Sequence, residues 1–422
     1  AYATDRFDLS GTREFDRSTG YRSVSFLTVP LKNHEGDIIG VLQLINALDD
    51  VGRVIPFDAG AQRLVEALAS QAAIALTNRR LIDELKALLD GLVHLIAYAI
   101  DEKSPYTGGH CRRVPVITMM LADAVAATRE GPLRDFTLTD ADRYELEVAA
   151  WLHDCGKIVT PEYIVDKATK LEALFDRIHL VDARFEILRR DEEIKCLRRE
   201  LAAKGEDGIA AARRDYEAAV SQLEGDRRFL HRCNLGGERM AESDQAKVRA
   251  IAARFWHDEQ GRRHPLLTGD EVRNLNVARG TLTEEEREII NGHMQATINM
   301  LNSLPFPKHL KNVPEYAGGH HERVDGNGYP RGLTRDEMSV QARIMAIADI
   351  FEALTAKDRP YKPGKTLSES LEILASMKER GHIDPDIFEV FVREKVYLEY
   401  ADAYLSDEQK DQVDIDGMAE TG

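Results

Sequence analysis

Residues 320–330 read His320-His321-Glu322-Arg323-Val324-Asp325-Gly326-Asn327-Gly328-Tyr329-Pro330. This stretch sets two adjacent imidazoles beside two carboxylates and ends in a turn bracketed by glycines. Imidazoles and carboxylates are common ligands of transition metals. Far upstream, Trp151-Leu152-His153-Asp154-Cys155-Gly156-Lys157 follows an apolar helical run and again pairs a histidine with an aspartate. Together the two stretches predict a metal site in a helical domain.

A pair of divalent ions needs several neutral imidazoles and at least one carboxylate that can bridge them. The sequence offers such ligands in four places: His110, His153-Asp154, His293 and His320-His321. Asp349, on the predicted helix that follows His320-His321, is a further candidate. Adjacent side chains such as His153 and Asp154 can reach one ion only near a helix terminus, which Gly156 would permit. A single histidine is more often a packed or capping residue, so the adjacent pairs carry the prediction.

A chain of 422 residues with a formal net charge of −17 predicts a globular protein of two or three modules. The negative charge argues against a general DNA-binding surface, so an anionic substrate would need bound metal ions as a local positive centre. The cysteines are far apart and show no CxxC pairing, which favours reduced thiols: Cys111, Cys155, Cys196 and Cys233.

No run approaches the roughly 20 apolar residues of a membrane helix, and no signal peptide is visible. We therefore expect a cytoplasmic protein with neither a membrane nor DNA as a partner. Because the sequence begins at Ala1 without Met, we also expect it to be a piece of a longer protein.

Residues 1–80 combine strand and helix patterns. Ser23 to Leu31 is apolar and β-branched, the turn Asn33-His34-Glu35-Gly36 follows, and Ile38 to Ile45 resumes a strand pattern, which predicts a hairpin. The order of motifs, including Gly40-Val41-Leu42-Gln43-Leu44-Ile45-Asn46 and Gln71-Ala72-Ala73-Ile74-Ala75-Leu76, resembles the C-terminal half of a GAF domain, an α/β sensory fold. The resemblance implies a regulatory module, and the alternative is a scaffold used only for dimer contacts.

Residues 74–100 keep a seven-residue apolar repeat typical of a coiled coil. Its members alternate at spacings of 3 and 4 after the first interval: Ile74, Leu81, Leu85, Leu88, Leu92 and Leu95. We expect one continuous helix that pairs with its copy in a homodimer and runs into the next domain. A single amphipathic helix packed on its own domain is the alternative.

Six motifs lie in residues 98–171 and 280–402: Tyr106-Thr107-Gly108-Gly109-His110, His153-Asp154-Cys155-Gly156-Lys157, His293, His320-His321-Glu322, Asp325-Gly326-Asn327-Gly328-Tyr329-Pro330 and Ala348-Asp349-Ile350-Phe351-Glu352-Ala353-Leu354-Thr355. As a set they resemble the HD-GYP family of phosphodiesterases. The resemblance implies an all-helical catalytic domain that hydrolyses cyclic di-GMP to the linear dinucleotide pGpG and often on to GMP. It also implies two divalent metal ions, usually iron or manganese, with zinc, nickel or cobalt as further options.

The resemblance also implies a role for each site residue. Asp154 would bridge the ions, with His110, His153 and Asp349 on one side and His293, His320 and His321 on the other. Lys157 would contact the scissile phosphate and act with Asp154 and His153 in catalysis. Five further residues would contact the substrate: Arg359, Lys362, Gly328, Tyr329 and Pro330. Glu322 and Asp325 would either orient ligand imidazoles or cap the loop.

Two features depart from the family pattern. Some members carry a carboxylate four residues before the first histidine and bind a third metal; this chain has Tyr106 there, so we expect two metals. A charged segment at 172–279 separates the halves of the catalytic domain, and we expect a helical hairpin near the active-site mouth that serves as a lid, dimer contact or partner arm. An acidic tail follows at 403–422. The alternatives for function are a cyclic di-GMP receptor without turnover and a phosphohydrolase for another cyclic dinucleotide or a nucleotide.

Overall fold

The computed structural model describes residues 8–103, 109–237, 239–357 and 364–413. Three residues singled out in the sequence, Tyr106, Arg359 and Lys362, lie outside the described residues. The chain divides into two compact units, Ala1–Leu92 and Val93–Gly422. Among the described residues, no helix is both long enough and apolar enough to cross a membrane.

The first unit is a small α/β module. It contains helix α1 (Ser10–Thr19), strands β1 (Phe26–Lys32), β2 (Ile38–Ile45), β3 (Ala47–Leu48) and β4 (Val54–Ile55), and the start of helix α2 (Ala59–Lys103). Strands β1 and β2 pair antiparallel, which confirms the predicted hairpin. Its core joins Val29 and Leu31 of β1 to Val65, Ala69 and Ala73 of α2.

Helix α2 is one continuous helix of 45 residues, as the sequence predicted. It begins in the first unit and ends in the second. In the single chain, the residues of the seven-residue repeat are exposed: Ile74, Leu81, Leu85, Leu88, Leu92 and Leu95. Val93, Ala97 and Ile100 near the helix end are instead buried. The pairing of this helix with a second copy stays a prediction.

The second unit is mainly helical, which confirms the predicted fold class. Its helices are α3 (His110–Ala127), α4 (Asp140–Leu152), α5 (Glu162–Val165), α6 (Ile178–Ala202), α7 (Glu206–Asn234), α8 (Glu242–Ala252), α9 (Gly269–Leu275), α10 (Glu284–Asn302), α11 (Val313–Gly318), α12 (Val340–Thr355), α13 (Leu367–Glu379), α14 (Pro385–Arg393) and α15 (Val396–Tyr404). A short hairpin of β5 (Phe255–His257) and β6 (Arg263–Pro265) and a 3₁₀ helix at Cys155–Val159 complete the elements that matter here.

Five of these helices form the framework around the predicted ligands. Helix α3 packs on α4 and α12, while α11 packs on α4, α10 and α12. Their contact surfaces are filled by side chains with no solvent exposure, such as Leu121, Leu146 and Phe351. Capping boxes start two of the helices, at Thr139 with Asp142 and at Thr283 with Glu286. The caps satisfy backbone N–H groups that a helix start leaves free and so fix where each helix begins.

The charged segment forms long helices, as expected, and these helices also enclose a core. Helices α6 and α7 pair as a hairpin with a break at Gly205, and α8, α9 and the β5–β6 hairpin pack beside them. Together they enclose a hydrophobic core, which includes Phe185, Leu223, Phe229, Leu230, Val248 and Leu266. Apolar residues spaced along one side of each charged helix supply this core.

The two ends of this segment meet, as an insertion requires. The buried Lys170 ammonium donates to the carbonyl oxygens of Leu275 at 3.1 Å and Val277 at 2.7 Å. The hydroxyl of Thr281 donates to the carbonyl oxygen of Lys167 at 2.9 Å. The placement of the hairpin near the active-site mouth stays a prediction.

Candidate metal centre

The structure brings all seven predicted metal ligands together. His110 is the first residue of α3, and His153-Asp154 directly follows the last residue of α4. His293 lies in α10, His320-His321 follows α11, and Asp349 lies in α12. The ending of α4 at Leu152 lets the side chains of His153 and Asp154 converge, as the sequence predicted from the nearby glycine.

Asp154 stands between two groups of ligands. One group is His110, His153 and Asp154, and the other is Asp154, His293, His320 and His321; within each group the ligand atoms lie within 4.8 Å of one another. Oδ2 of Asp154 lies 3.3 Å from Nε2 of His110 and 3.2 Å from Nε2 of His153. Oδ1 lies 3.3 Å from Nε2 of His293. The two oxygens of one carboxylate therefore face different histidine groups.

Asp349 lies beside the first group. Its Oδ1 lies 3.2 Å from Nε2 of His110 and 3.7 Å from Nε2 of His153.

The backbone fixes which ring nitrogen of three histidines faces the centre. Nδ1 of His153 lies 2.7 Å from the carbonyl oxygen of Ala150, and Nδ1 of His320 lies 2.7 Å from that of Ala317. Nδ1 of His293 contacts the carbonyl of Ile290 in the same way. A carbonyl oxygen only accepts, so each Nδ1 carries the hydrogen and each Nε2 keeps a free lone pair. This is how imidazole ligands of metals are commonly oriented.

Several ligand atoms are buried and make no hydrogen bond among the described residues. They are Oδ1 of Asp154 and Nε2 of His293 and His320. A buried polar atom left unpaired costs roughly 1–3 kcal/mol. A cation between the groups would satisfy all three atoms. The donor set of imidazole nitrogen and carboxylate oxygen, with no thiolate, fits a transition metal better than Ca²⁺ or Mg²⁺.

Burial and neighbouring imidazoles keep two rings of the second group, those of His320 and His321, neutral. Burial lowers the pKa of His320 well below its ordinary value, and the neighbouring imidazoles of His321 and His153 lower it further. Loss of water around His321 lowers its pKa to about 4. Both rings are therefore neutral at pH 7, which is the form that binds a metal.

Glu352 contacts the ligand His110, a role that the sequence did not predict. It lies three residues after Asp349 on α12, and its Oε2 contacts Nδ1 of His110. Its Oε1 accepts from Nε of Arg113 at 2.6 Å. Burial disfavours the charged form of His110, but the surrounding carboxylates, that of Glu352 foremost, outweigh burial and raise the pKa of His110 well above its ordinary value. The spacing of Asp349 and Glu352 on one helix face was the available signal.

Glu322 and Asp325 make hydrogen bonds within the loop. Glu322 accepts the backbone amides of Arg331 at 2.8 Å and Leu333 at 2.9 Å. Asp325 accepts the amide of Asn327 at 2.9 Å and also pairs with Arg323. These bonds hold the turn that follows His321.

The Gly328-Tyr329-Pro330 turn lies against the second group of ligands. The ring of Tyr329 stacks on His321 with centroids 4.9 Å apart. A Cβ on Gly328 would lie 2.3 Å from the amide nitrogen of Arg323, so this position accepts no larger residue without movement. The peptide bond between Tyr329 and Pro330 is cis.

Lys157 extends from the 3₁₀ helix toward the shared carboxylate. Its Nζ donates to Oδ2 of Asp154 at 2.6 Å. Burial disfavours the charged form of both groups, but their mutual attraction is stronger. The Lys157 ammonium helps to hold the pKa of Asp154 well below its ordinary value, and the Asp154 carboxylate raises the pKa of Lys157. The ammonium is therefore charged at neutral pH and lies at the edge of both ligand groups.

Gly156 permits the close approach of this segment to α10. A Cβ there would lie 2.0 Å from the carbonyl oxygen of His293 and 2.5 Å from the amide nitrogen of Thr297. The amide of Gly156 instead donates to Oγ1 of Thr297 at 2.9 Å. The glycine thus brings Asp154 and His293 to the same centre.

Comparison with known proteins agrees with this geometry. Two family models, each described as an HD domain, match residues 107–248 and 267–387, and a GAF domain model matches residues 4–76. The first HD match runs to residue 248, inside the segment predicted as an insertion, so the limits 172–279 stay a prediction.

Relatives with assigned names are phosphodiesterases. A 3′3′-cGAMP-specific phosphodiesterase of Vibrio cholerae is 26% identical over 78% of this chain and 42% of its own length. Cyclic di-GMP phosphodiesterases of Pseudomonas aeruginosa and Thermotoga maritima are 38% and 36% identical over 27% and 31% of this chain, or 26% and 34% of their own lengths. The chain thus spans less than half the length of these curated relatives.

Replacement of Glu352 by Gln tests its support of His110. The change keeps the shape of the side chain but removes the charge that faces the imidazole, so we expect Mn²⁺ affinity to fall roughly 10–100-fold, the range typical of such outer carboxylates. Titration calorimetry on the metal-free protein would measure it. Glu372→Gln, at an exposed position of α13, is the matched control. Equal affinity of Glu352→Gln and wild type would contradict the role.

Proposed function

We propose that this chain, which carries HD and GAF domains, is a metal-dependent phosphodiesterase that hydrolyses cyclic di-GMP to linear pGpG and then to GMP. The observation that carries the proposal is the Asp154 carboxylate, whose two oxygens face two separate groups of buried ligands. That arrangement suits a pair of cations, and a pair of cations suits phosphodiester hydrolysis.

The metal ions are proposed to number two per chain. His110, His153, Asp154 and Asp349 would hold one, and Asp154, His293, His320 and His321 the other. The ligand types suit iron, manganese or zinc better than calcium or magnesium. Among these the family resemblance favours iron or manganese, with zinc, nickel or cobalt as further options. Divalent cations, when bound, lower the pKa of water and neutralise charge on the phosphoryl oxygens.

Lys157 is the chain's own positive group beside the reaction centre. Its raised pKa keeps the ammonium protonated at neutral pH. In our proposal this ammonium contacts the scissile phosphate, stabilises the charge that develops on it and donates a proton to the leaving oxygen. Asp154 would hold the ammonium in place through the bond to Oδ2.

Other residues would shape the pocket for the nucleotide. Gly328, Tyr329 and Pro330 would form a wall next to His321, where the stacked Tyr329 ring blocks one side of that imidazole. Arg359 and Lys362 would bind phosphate or guanine, as the sequence resemblance implied. The net charge of −17 makes such local cations necessary for an anionic substrate.

A second substrate, 3′3′-cGAMP, has one observation in its favour. The relative that aligns with 78% of this chain carries the name of a 3′3′-cGAMP-specific phosphodiesterase. Both substrates would place the same phosphodiester linkage at the metal centre, and they differ in one base. The predicted metal ligands therefore do not discriminate between them.

The first unit and α2 are proposed to regulate the enzyme as a homodimer in the cytoplasm. The exposed leucines of the seven-residue repeat would pair with those of a second copy, because burying such a row stabilises two-stranded coiled coils. The segment 172–279 would offer a surface for a protein partner.

Product analysis tests the proposed activity. The anaerobically metal-loaded protein is incubated with cyclic di-GMP or 3′3′-cGAMP, and products are resolved by chromatography. We expect linear dinucleotide and then GMP from cyclic di-GMP, at a higher kcat/KM than for cGAMP. Asp154→Asn should reduce turnover to background, while Asp402→Asn, at an exposed position of α15, should not. The opposite substrate order favours the second candidate, and tight binding without turnover identifies a receptor.

Replacement of Leu88 by Asp tests the dimer. Leu88 is 60% exposed in the single chain, so the charge should leave the monomer fold intact. In a coiled coil it would be buried, and we expect sedimentation equilibrium to report mainly monomer in place of dimer. Ala87→Asp, one residue away and off the repeat, is the control and should stay dimeric. A wild-type monomer, or a dimeric Leu88→Asp variant, would contradict this interface.

A further inference from the structure

The last residue of α2 binds the segment that carries Lys157. Nζ of Lys103 donates to three backbone carbonyl oxygens, those of Lys157 at 2.9 Å, Ile158 at 2.6 Å and Thr160 at 2.5 Å. An ammonium has three hydrogens to donate, so the three carbonyls use all the donor capacity of Nζ of Lys103. The contact joins residues 54 to 57 positions apart in sequence.

These carbonyls lie at the carboxyl end of the 3₁₀ helix at Cys155–Val159. Carbonyl groups at a helix end lack partners within the helix, and a cation there is favourable for both hydrogen bonding and the helix dipole. Lys103 therefore acts as a C-terminal cap supplied by a different helix.

The 3₁₀ helix also contacts α10, through the close approach of Gly156 to His293 and Thr297. The segment between Asp154 and Thr160 is thus bonded to two other helices, α2 and α10. The carbonyl of Lys157 itself accepts both Nζ of Lys103 and the amide of Thr160. A change at Lys103 would alter the backbone from which the Lys157 side chain extends.

A second contact ties the same turn of α2 to the other flank of the centre. Asp101, which is buried, accepts the backbone amide of Cys111 at 3.3 Å. Cys111 directly follows the ligand His110 at the start of α3. The last turn of α2 is therefore bonded both to the residue after His110 and to the backbone of Lys157.

We propose that Lys103 is a positioning residue that holds the backbone of Lys157 in place, and that through it the end of α2 acts on the metal centre. Displacement of the α2 terminus would release the three carbonyls and move the Lys157 ammonium away from Asp154, while the metal ligands keep their own backbone bonds. The expected effect of Lys103 on turnover rests on the proposed function.

Lys103→Met tests the proposal, with Lys103→Arg as the conservative variant and Lys204→Met, an exposed lysine between α6 and α7, as the control. Hydrogen exchange followed by mass spectrometry reads the amides of residues 155–160 without reference to activity. We expect faster exchange there in Lys103→Met, near wild-type exchange in Lys103→Arg and Lys204→Met, and unchanged bound metal.

Kinetics separates positioning from general damage. In Lys103→Met we expect kcat to fall roughly tenfold, since small misplacements of a reacting group have effects of this order, with KM little changed. In a Lys157→Met background the same change should have no further effect on kcat. Unaltered exchange at 155–160, or an equal loss of kcat in both backgrounds, would overturn the proposal. If wild type turns over neither cyclic dinucleotide, the proposed function fails and the exchange result alone decides the role of Lys103.

Discussion

The site depends on one carboxylate that must face two groups of histidines at once. Asp154 can do so because α4 ends at Leu152 and because Gly156 lets the following segment touch α10. A longer α4 would turn His153 and Asp154 to different faces, since successive helical residues point about 100° apart. A side chain at position 156 would push the segment away from His293. The five helices around the centre are arranged to keep this approach.

Burial of unpaired ligand atoms lowers the stability of the fold, and a bound cation would remove this cost. Three ligand atoms have no hydrogen-bond partner among the described residues. Nδ1 bonds to a backbone carbonyl or to Glu352 in four of the ligand histidines, His110, His153, His293 and His320. Unpaired polar atoms in a protein interior are rare and tend to mark functional sites. The same neutral imidazoles that would destabilise an empty core are suitable metal ligands.

The sequence predicted most of this centre because its ligands come as adjacent pairs. Adjacent metal-binding residues are unusual, as in His153-Asp154 and His320-His321. Their presence makes the single residues candidate ligands as well: His110, His293 and Asp349. Glu352 was missed because a glutamate on an amphipathic helix is ordinary. Lys103 was missed because its partners are backbone carbonyls, which leave no trace in the side-chain sequence. The core of the charged segment was missed because residues such as Phe185 and Leu230 are dispersed among Arg, Glu and Asp.

The central claim is that this cluster holds two metal ions joined by Asp154. The most direct measurement is the metal content per chain after anaerobic loading with Fe²⁺ or Mn²⁺ and removal of free ions, by elemental analysis of wild type and Asp154→Asn. The account predicts two ions per wild-type chain and the loss of both in the variant. One or three ions in wild type, or a variant that retains two, would contradict it.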